Sequence, residues 1–250
     1  MASEFEGPRT AIVTGAAKRI GAALARGLAA DGWHVLIHYN RSEVEARALA
    51  AELGSAGIVQ AELADPGAAE RILAAAAGLP PLRLLVNSAS RFVRDSAGDF
   101  TAESWDSHLD VNLRAPALLS RAFAERAGRG LIVNILDSKV VQPNPDFFSY
   151  TVSKLGFAGL TELLARALAP SFRVCGIAPA ITMVSGPQSG DDFERVHRLN
   201  ALGRGVEAEH VVGALRFIVA SPTLTGQTIV LDAGHRFLAL PRDVQLLERE

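Results

Sequence analysis

The chain has 250 residues, of which 49% are hydrophobic and 21% are charged, and its formal net charge is −2. These values fit one globular α/β domain over residues 1–250, and so weak a charge argues against nucleic-acid binding or an electrostatic membrane anchor. No apolar run reaches the roughly eighteen residues of a membrane span, and the polar start does not resemble a signal peptide. Cys175 is the only cysteine, so no intramolecular disulfide can form, and a reducing cytoplasm is the expected location.

The chain opens with a strand, a glycine-containing turn and a helix, in that order. Residues 1–9 are predicted to be a loose leader, residues 10–13 a strand and residues 22–30 a helix. The turn between them reads TGAAKRIG and contains Gly15, Lys18, Arg19, Ile20 and Gly21. Backbone N–H groups and a helix N-terminus then face the same point, which predicts a phosphate-binding turn.

The second predicted strand, residues 34–39, is not followed by an acidic residue. An acid at this place accepts hydrogen bonds from the ribose 2′-hydroxyl of NAD. Here the segment reads Asn40-Arg41-Ser42, and the guanidinium of Arg41 suits a 2′-phosphate. A solvated residue at the start of a helix is the plain alternative for Arg41. The absence of an acid and the presence of an arginine both favour a 2′-phosphate over a 2′-hydroxyl, so the pattern favours NADP over NAD.

The middle of the chain continues to alternate helices and strands. The pattern predicts a helix at 43–53, a strand at 58–63, a helix at 66–76, a strand at 82–86 and one long helix at 103–126. The small residues after the strand at 82–86 would let a flat ligand approach the backbone closely. Asn112 lies among apolar neighbours in the long helix, and as a buried amide it serves either helix packing or a site.

A buried strand at 131–136 leads into the stretch that carries the chemistry. Asp137 follows the strand, and Tyr150 and Lys154 lie four residues apart on one face of a predicted helix. These three side chains can meet at the carboxyl edge of a parallel sheet, where ligands bind. A free tyrosine has a pKa of about 10, and a nearby ammonium is expected to lower that pKa. Alone, this spacing more often marks a core tyrosine and a solvated lysine.

The last third of the chain contains two more predicted strands. One lies at 173–177, and the other, with its turn, at 226–234, after a helix at 207–219. Residues 183–204 are weakly patterned and are either a mobile lid over the substrate or a plain surface loop. The regular alternation of strands and helices predicts an α/β fold, a parallel sheet with helices on both faces.

Five of these motifs, in this order, resemble the short-chain dehydrogenase/reductase family. They are the turn at 14–21, Asn87-Ser88-Ala89, Asn112, the Tyr150–Lys154 pair and the ending at 226–234. The resemblance implies a single Rossmann-type doubly wound sheet of about seven strands, a nicotinamide cofactor, no metal, and usually a homotetramer. It implies cofactor contacts from Gly15, Lys18, Arg19, Ile20, Gly21, His38, Tyr39, Asn40, Arg41, Ser42, Glu62, Leu63, Asn87, Ser88, Ala89, Tyr150, Lys154 and Pro179.

Departures from the usual family pattern resemble the branch of pteridine reductases and dihydromonapterin reductases. Arg19 stands in place of a third glycine, and Asp137 in place of the serine that usually accompanies the tyrosine. Ser138 is adjacent, but alternation along a strand predicts that it points elsewhere. The resemblance implies substrate contacts from Arg19, Ser90, Phe92, Asp137 and Tyr150, with Phe92 stacked on a pterin ring.

The resulting hypothesis is an NADPH-dependent reductase of a flat C=N substrate such as a dihydropterin. Tyr150 and Asp137 would supply the proton, Lys154 would hold the cofactor ribose, and Asn112 would anchor a proton-relay water. A protonated carboxyl can quench charge on nitrogen, although Asp137 could instead only orient Tyr150. The alternatives are a carbonyl reductase and, less favoured because Tyr150 and Lys154 are both kept, a non-catalytic NADP-binding sensor.

Overall fold

The computed structural model describes residues 5–183 and 190–247, and in it seven strands form one sheet. The sheet order is β3-β2-β1-β4-β5-β6-β7, and every neighbouring pair is parallel. This confirms the predicted doubly wound, Rossmann-type sheet. The strands are β1 Thr10–Val13, β2 His34–Tyr39, β3 Ala56–Gln60, β4 Leu82–Asn87, β5 Gly130–Ile135, β6 Phe172–Pro179 and β7 Thr228–Leu231.

Helices cover both faces of the sheet because its strands are apolar on both sides. In β1, Ala11 and Val13 pack into the core on one face, whereas Ile12 packs into the core on the other. The first face is covered by α1 Arg19–Ala30, α2 Glu43–Leu53 and α8 Ala208–Ala220. The second is covered by α3 Ala68–Ala75, α5 Ala115–Ala127 and α6 Phe148–Leu168.

The long helix predicted at 103–126 is interrupted. The structure has α4 Ala102–Leu109, a π-helical turn Asp110–Arg114, and then α5. Pro116 lies in the first turn of α5 and has no N–H, so it cannot bond the carbonyl of Asn112 as an α-helix requires. The amide of Ala115 instead bonds the carbonyl of Asp110, one residue further back. Pro116 was therefore the sequence signal for this break.

Smaller differences concern element ends and loops. α1 begins at Arg19 rather than residue 22, and β3 covers 56–60 rather than 58–63. The weakly patterned segment 183–204 contains a helix, α7 Gly190–His197, while residues 184–189 of that prediction lie outside the described residues. None of the helices in the described ranges is long and apolar enough to cross a membrane.

The described part of the predicted loose leader is packed against the domain. Phe5 is buried, and its ring lies 5.6 Å from the ring of Trp33. The guanidinium of Arg9 lies 4.7 Å from the same indole ring. The prediction of a loose leader is therefore wrong for residues 5–9, because an aromatic residue there finds apolar surface to cover.

Candidate active site

The loops that follow β1, β2, β4, β5 and β6 meet at the carboxyl edge of the sheet and line a cavity of about 800 Å³. Residues 196, 197, 199 and 200, from the weakly patterned segment, line it as well. Of the predicted site residues, the cavity is lined by Gly15, Lys18, Arg19, Ile20, Gly21, His38, Tyr39, Asn40, Arg41, Ser42, Glu62, Leu63, Ser88, Ala89, Ser90, Phe92, Asp137, Tyr150, Lys154 and Pro179.

Tyr150 and Asp137 form the central polar contact of this cavity. The hydroxyl of Tyr150 donates a hydrogen bond to Asp137 Oδ2 at 2.6 Å. The other carboxyl oxygen, Oδ1, accepts the backbone N–H of Lys139 at 2.8 Å, where the chain turns after β5. Lys154, one helical turn after Tyr150, donates from Nζ to the carbonyl of Ile135 at 2.9 Å. Asp137 is thus held by one oxygen and presents the other to the phenol.

Burial, the charge of Asp137 and the hydrogen bond to it raise the pKa of Tyr150 well above its usual value of 10. The sequence had predicted a pKa lowered by Lys154, and that prediction is wrong for this structure. Burial lowers the pKa of Lys154 to about 8, although the charge of Asp137 works in the opposite direction. Burial is the largest cause of the raised pKa of Tyr150, and Asp137, which bonds the phenol directly, acts in the same direction.

An aromatic wall lies beside Tyr150. The ring of Phe92 stacks on that of Phe147, with centroids 4.3 Å apart and an interplanar angle of 18°. It also meets the ring of Tyr150 edge-on at 4.7 Å. Phe92 is partly exposed and lines the cavity, so a flat apolar surface adjoins the phenol at which a proton is held.

The glycine turn after β1 is built by close backbone contacts. Gly15 has a φ of +61°, and a Cβ atom there would lie 2.8 Å from Ala89 Cα. A Cβ atom on Gly21 would collide with the carbonyl oxygen of Gly15. The N–H of Gly15 donates to His38 Nδ1 at 3.1 Å. Burial lowers the pKa of His38 to about 4, which keeps the ring neutral and able to accept this bond.

Cations surround the turn on the side of the cavity. Lys18, Arg19 and Arg41 all line it, and the nearby acid Glu62 accepts a hydrogen bond from the Asn40 amide. Arg19 has a φ of +58°, a left-handed conformation that costs a non-glycine residue about 1–3 kcal/mol. A strained arginine at a cavity wall is typical of a functional position. Together with the open glycine turn, these residues fit a dinucleotide that carries an additional phosphate.

Two predicted residues do not line the cavity. The Asn87 amide donates to Asn134 Oδ1 at 2.9 Å, which ties β4 to β5 within the sheet. Asn112 accepts the N–H of Arg91 at 2.8 Å and donates to the Arg91 carbonyl and to Ser153 Oγ, both at 3.0 Å. Both N–H groups of Asn112 are therefore used, and its side chain offers none to a relay water.

Ser138 is the neighbour of Asp137 that alternation along the strand predicts to point elsewhere. The chain turns after Asp137, and Ser138 is among the residues that line the cavity. The phenol of Tyr150 nevertheless bonds Asp137. Ser138 is therefore an additional polar group of the cavity rather than a substitute for Asp137.

Comparison with known proteins identifies the family. A family model described as short chain dehydrogenase matches residues 9–191. The chain belongs to the short-chain dehydrogenase family. FolM alternative dihydrofolate reductase 1 from Brucella suis, crystallised in complex with NADP, is 38% identical and superposes with a TM-score of 0.88 over 91% of this chain and 95% of that one.

Two other relatives show the range of the family. Pteridine reductase 1 of Leishmania tarentolae is 31% identical over 90% of this chain and 95% of its own. A 3-oxoacyl-acyl-carrier-protein reductase of Synechocystis sp. is 30% identical over 90% of this chain and 96% of its own. The predicted resemblance to the pteridine reductase branch of the short-chain dehydrogenases is therefore confirmed.

In this short-chain dehydrogenase, the C-terminal segment supplies part of the cavity that the sequence did not predict. Lys139 Nζ pairs with an Asp243 carboxylate oxygen at 2.8 Å, and Arg242 pairs with Asp146 at 2.7 Å. No pattern marks these pairs, because Arg242 and Asp146 are 96 residues apart in sequence. The unpredicted lining residues of this region are Asp232, His235, Arg236, Asp243, Val244 and Gln245.

Proposed function

We propose that this short-chain dehydrogenase is an NADPH-dependent reductase of a flat, conjugated C=N substrate, most specifically a dihydropterin, acting in the cytoplasm. The observation that carries the proposal is the hydrogen bond from Tyr150 to Asp137 at the edge of the cavity, with Phe92 edge-on to the same phenol. The names of two relatives, pteridine reductase 1 and FolM alternative dihydrofolate reductase 1, support this substrate class.

The cofactor would be held by the turn from Gly15 to Gly21 and by the residues after β2. Backbone N–H groups at the start of α1 suit a pyrophosphate, and Arg41 suits a 2′-phosphate. Lys154 lies buried at the centre of the cavity edge and would hold the nicotinamide ribose. When bound, NADPH supplies the hydride. Ser88 and Ala89 leave room for a flat ring beside the backbone.

Tyr150 and Asp137 would deliver the proton that a reduction requires. The Tyr150 hydroxyl is protonated at neutral pH and would donate its proton to the substrate, and burial with the nearby Asp137 raises its pKa and makes it a weaker acid than a free phenol. Asp137 Oδ2 lies at hydrogen-bond distance from that hydroxyl and forms the second proton site. When hydride adds to the carbon of a C=N bond, the charge that develops on nitrogen would be neutralised by a proton from this pair.

The aromatic wall and the cationic turn would select the substrate. Phe92 offers one face to a planar ring, and stacking of this kind contributes about 0.5–1.5 kcal/mol beyond the buried area. Arg19 and Ser90 line the same cavity and can bond the polar edge of a pterin. A ketone without an extended ring would use none of these groups.

A carbonyl reductase is the second candidate, and one observation favours it. Ser138 lines the cavity next to Asp137 and could bond a ketone oxygen in the manner of the serine usual in the family. The 3-oxoacyl-acyl-carrier-protein reductase among the relatives acts, by its name, on such a carbonyl. The hydrogen bond of Tyr150 to Asp137 rather than to Ser138 makes this the weaker proposal.

The test is an NADPH-consumption assay with dihydrobiopterin, dihydromonapterin, dihydrofolate and simple ketones, with Tyr150→Phe as the inactive control. We expect turnover of at least one dihydropterin with a kcat/KM above that of every ketone. Brisk reduction of ketones with no dihydropterin activity would leave only the family assignment. No NADPH consumption with any substrate would favour the sensor hypothesis.

A further inference from the structure

A buried Ser–His–Asp cluster lies behind Phe92, outside the cavity lining. His108 and Ser149 are fully buried and Asp95 almost so. Ser149 Oγ donates to Asp95 Oδ2 and lies 2.7 Å from His108 Nδ1. The N–H of Val93 donates to His108 Nε2 at 3.1 Å. The cluster therefore joins three segments: the loop after β4, helix α4 and the start of α6.

The hydrogen bonds fix the protonation of the ring. A backbone N–H can only donate, so His108 Nε2 is the acceptor and Nδ1 carries the proton. That proton faces the Ser104 carbonyl at 2.9 Å and Ser149 Oγ. Burial lowers the pKa of His108, which favours this neutral form. The ring thus bridges the loop on one side and both helices on the other.

The order of contacts rules out a hydrolytic triad. In such a triad the aspartate bonds the histidine and the histidine accepts the serine proton. Here Asp95 accepts from the hydroxyl and the N–H of Ser149, and His108 Nε2 is already occupied by Val93. Ser149 has no exposed surface on which a substrate could approach. The cluster must therefore act through what it holds in place.

What it holds is the short loop that carries Phe92. Arg91, before Phe92, is fixed by two hydrogen bonds to Asn112. Val93, after it, is fixed by His108, and Asp95 caps the first turn of α6 through the N–H of Ser149. A loop pinned on both sides of one residue gives that residue a single orientation.

We call the hydrogen bonds to Asn112, His108 and Asp95 that hold this loop and the start of α6 the clamp. The clamp also lies beside the two residues of the candidate active site on α6. His108 contacts Ser149 and Asn112 contacts Ser153, so two successive turns of one helix bond two successive turns of the other. The residue after each serine is Tyr150 and Lys154, respectively. Each of these two contacts lies one residue before Tyr150 or Lys154, whose own positions are held by the backbone hydrogen bonds of α6.

We propose that His108, with Ser149 and Asp95, is a positioning group that locks Phe92 against Tyr150 and so sets the width of the slot for the planar substrate. This inference rests on the proposed function for the identity of the substrate, but the hydrogen bonds that hold the loop can be tested without any substrate. A loosened loop would weaken binding of the ground state and of the transition state alike. The loss should therefore be in KM rather than kcat.

The test compares His108→Leu, which removes the hydrogen bonds of the ring to Val93, Ser104 and Ser149, with His108→Gln, whose amide can accept from Val93 and donate to Ser104. Ser107→Ala is the matched control, because within the described residues the Ser107 hydroxyl bonds only the Ser104 carbonyl of the same helix. We expect His108→Leu to raise KM for a dihydropterin about five- to ten-fold, the effect of losing the one hydrogen bond that holds the backbone of the loop at Val93. Its kcat should stay within about two-fold, and His108→Gln should remain near the wild type.

Hydrogen exchange of the peptide covering residues 91–95, measured with NADP bound, gives a readout without any substrate. Exchange should be faster in His108→Leu and unchanged in His108→Gln and Ser107→Ala. If His108→Leu does not fold, Ser149→Ala must show the same faster exchange. The proposal is refuted if exchange in His108→Leu equals that of the wild type, or if His108→Gln exchanges as fast as His108→Leu. If dihydropterins prove not to be substrates, the exchange data still decide whether His108 holds the loop that carries Phe92.

Discussion

Asp137→Asn keeps the shape of the side chain and removes both its negative charge and its ability to take up a proton and pass it on. An amide has one acceptor oxygen: with that oxygen facing the backbone N–H of Lys139, the NH2 group can donate to the Tyr150 oxygen, so the two side chains stay hydrogen-bonded with the donor reversed. A bond to a charged group is worth about 1.5–3 kcal/mol, roughly twice a neutral one, so the variant would lose about 1 kcal/mol of orientation. If Asp137 only orients Tyr150, kcat should therefore fall by no more than about ten-fold.

Losing a proton donor lowers the reaction rate more than losing a hydrogen bond that only orients another residue. Loss of general acid catalysis costs about 10²–10⁴ in rate, so our proposal expects kcat for a dihydropterin to fall at least a hundred-fold in Asp137→Asn. Turnover of ketones, whose alkoxide would take its proton from Tyr150, should be spared or improved. The difference between ten-fold and a hundred-fold separates the two roles of Asp137 in one NADPH-consumption assay.

A titration of the phenol checks the electrostatic part of the reasoning. The charge of Asp137 raises the pKa of Tyr150, so removing that charge must lower this pKa and move phenolate formation to lower pH. The chain has two tyrosines, and a Tyr39→Phe background isolates the phenolate absorbance of Tyr150. A titration that does not move, or a kcat that stays within ten-fold, would refute the role given to Asp137.

Three further predictions concern the cofactor, the turn and the assembly. Arg41→Ala should weaken NADPH binding about ten- to a hundred-fold and leave NADH binding nearly unchanged, as measured by fluorescence titration; equal use of both cofactors by the wild type would contradict this. Gly21→Ala should lower both Tm and NADP affinity because its Cβ meets the Gly15 carbonyl, whereas Gly159→Ala, with open space around it, should raise stability by up to about 1 kcal/mol. Light scattering should show a homotetramer, with apolar side chains of α5 and α6 at the interfaces; a monomer at micromolar concentration would exclude it.

The parts of the site that sequence predicted are those set by local rules. The spacing of Tyr150 and Lys154 places both on one face of α6, and the turn from Gly15 to Gly21 follows a strand and opens a helix. Their convergence follows from the parallel sheet, because the ends of its strands share one edge. Alternation of strands and helices was enough to predict that sheet.

The parts that could not be predicted depend on contacts between distant segments. The cluster of Asp95, His108 and Ser149 joins residues as much as 54 positions apart, and none of them lies in a motif. The lowered pKa expected for Tyr150 was wrong because sequence shows neither how deeply the phenol is buried nor that Asp137 is the group that bonds it. Asn87 matched its family motif yet serves the sheet, since a motif does not show the direction of a side chain.

The charge of Asp137 also bears on the direction of the reaction. Oxidation of an alcohol needs a group that can take up a proton at the phenol, and a serine beside the tyrosine places no charge there to oppose the phenolate. With a carboxylate at 2.6 Å and full burial, the phenolate of Tyr150 is disfavoured and the protonated phenol dominates at neutral pH. An acid at this position assists hydride addition and hinders hydride removal. The exchange of serine for aspartate therefore favours the form of Tyr150 that donates a proton during hydride addition, whether that proton goes to nitrogen or to oxygen.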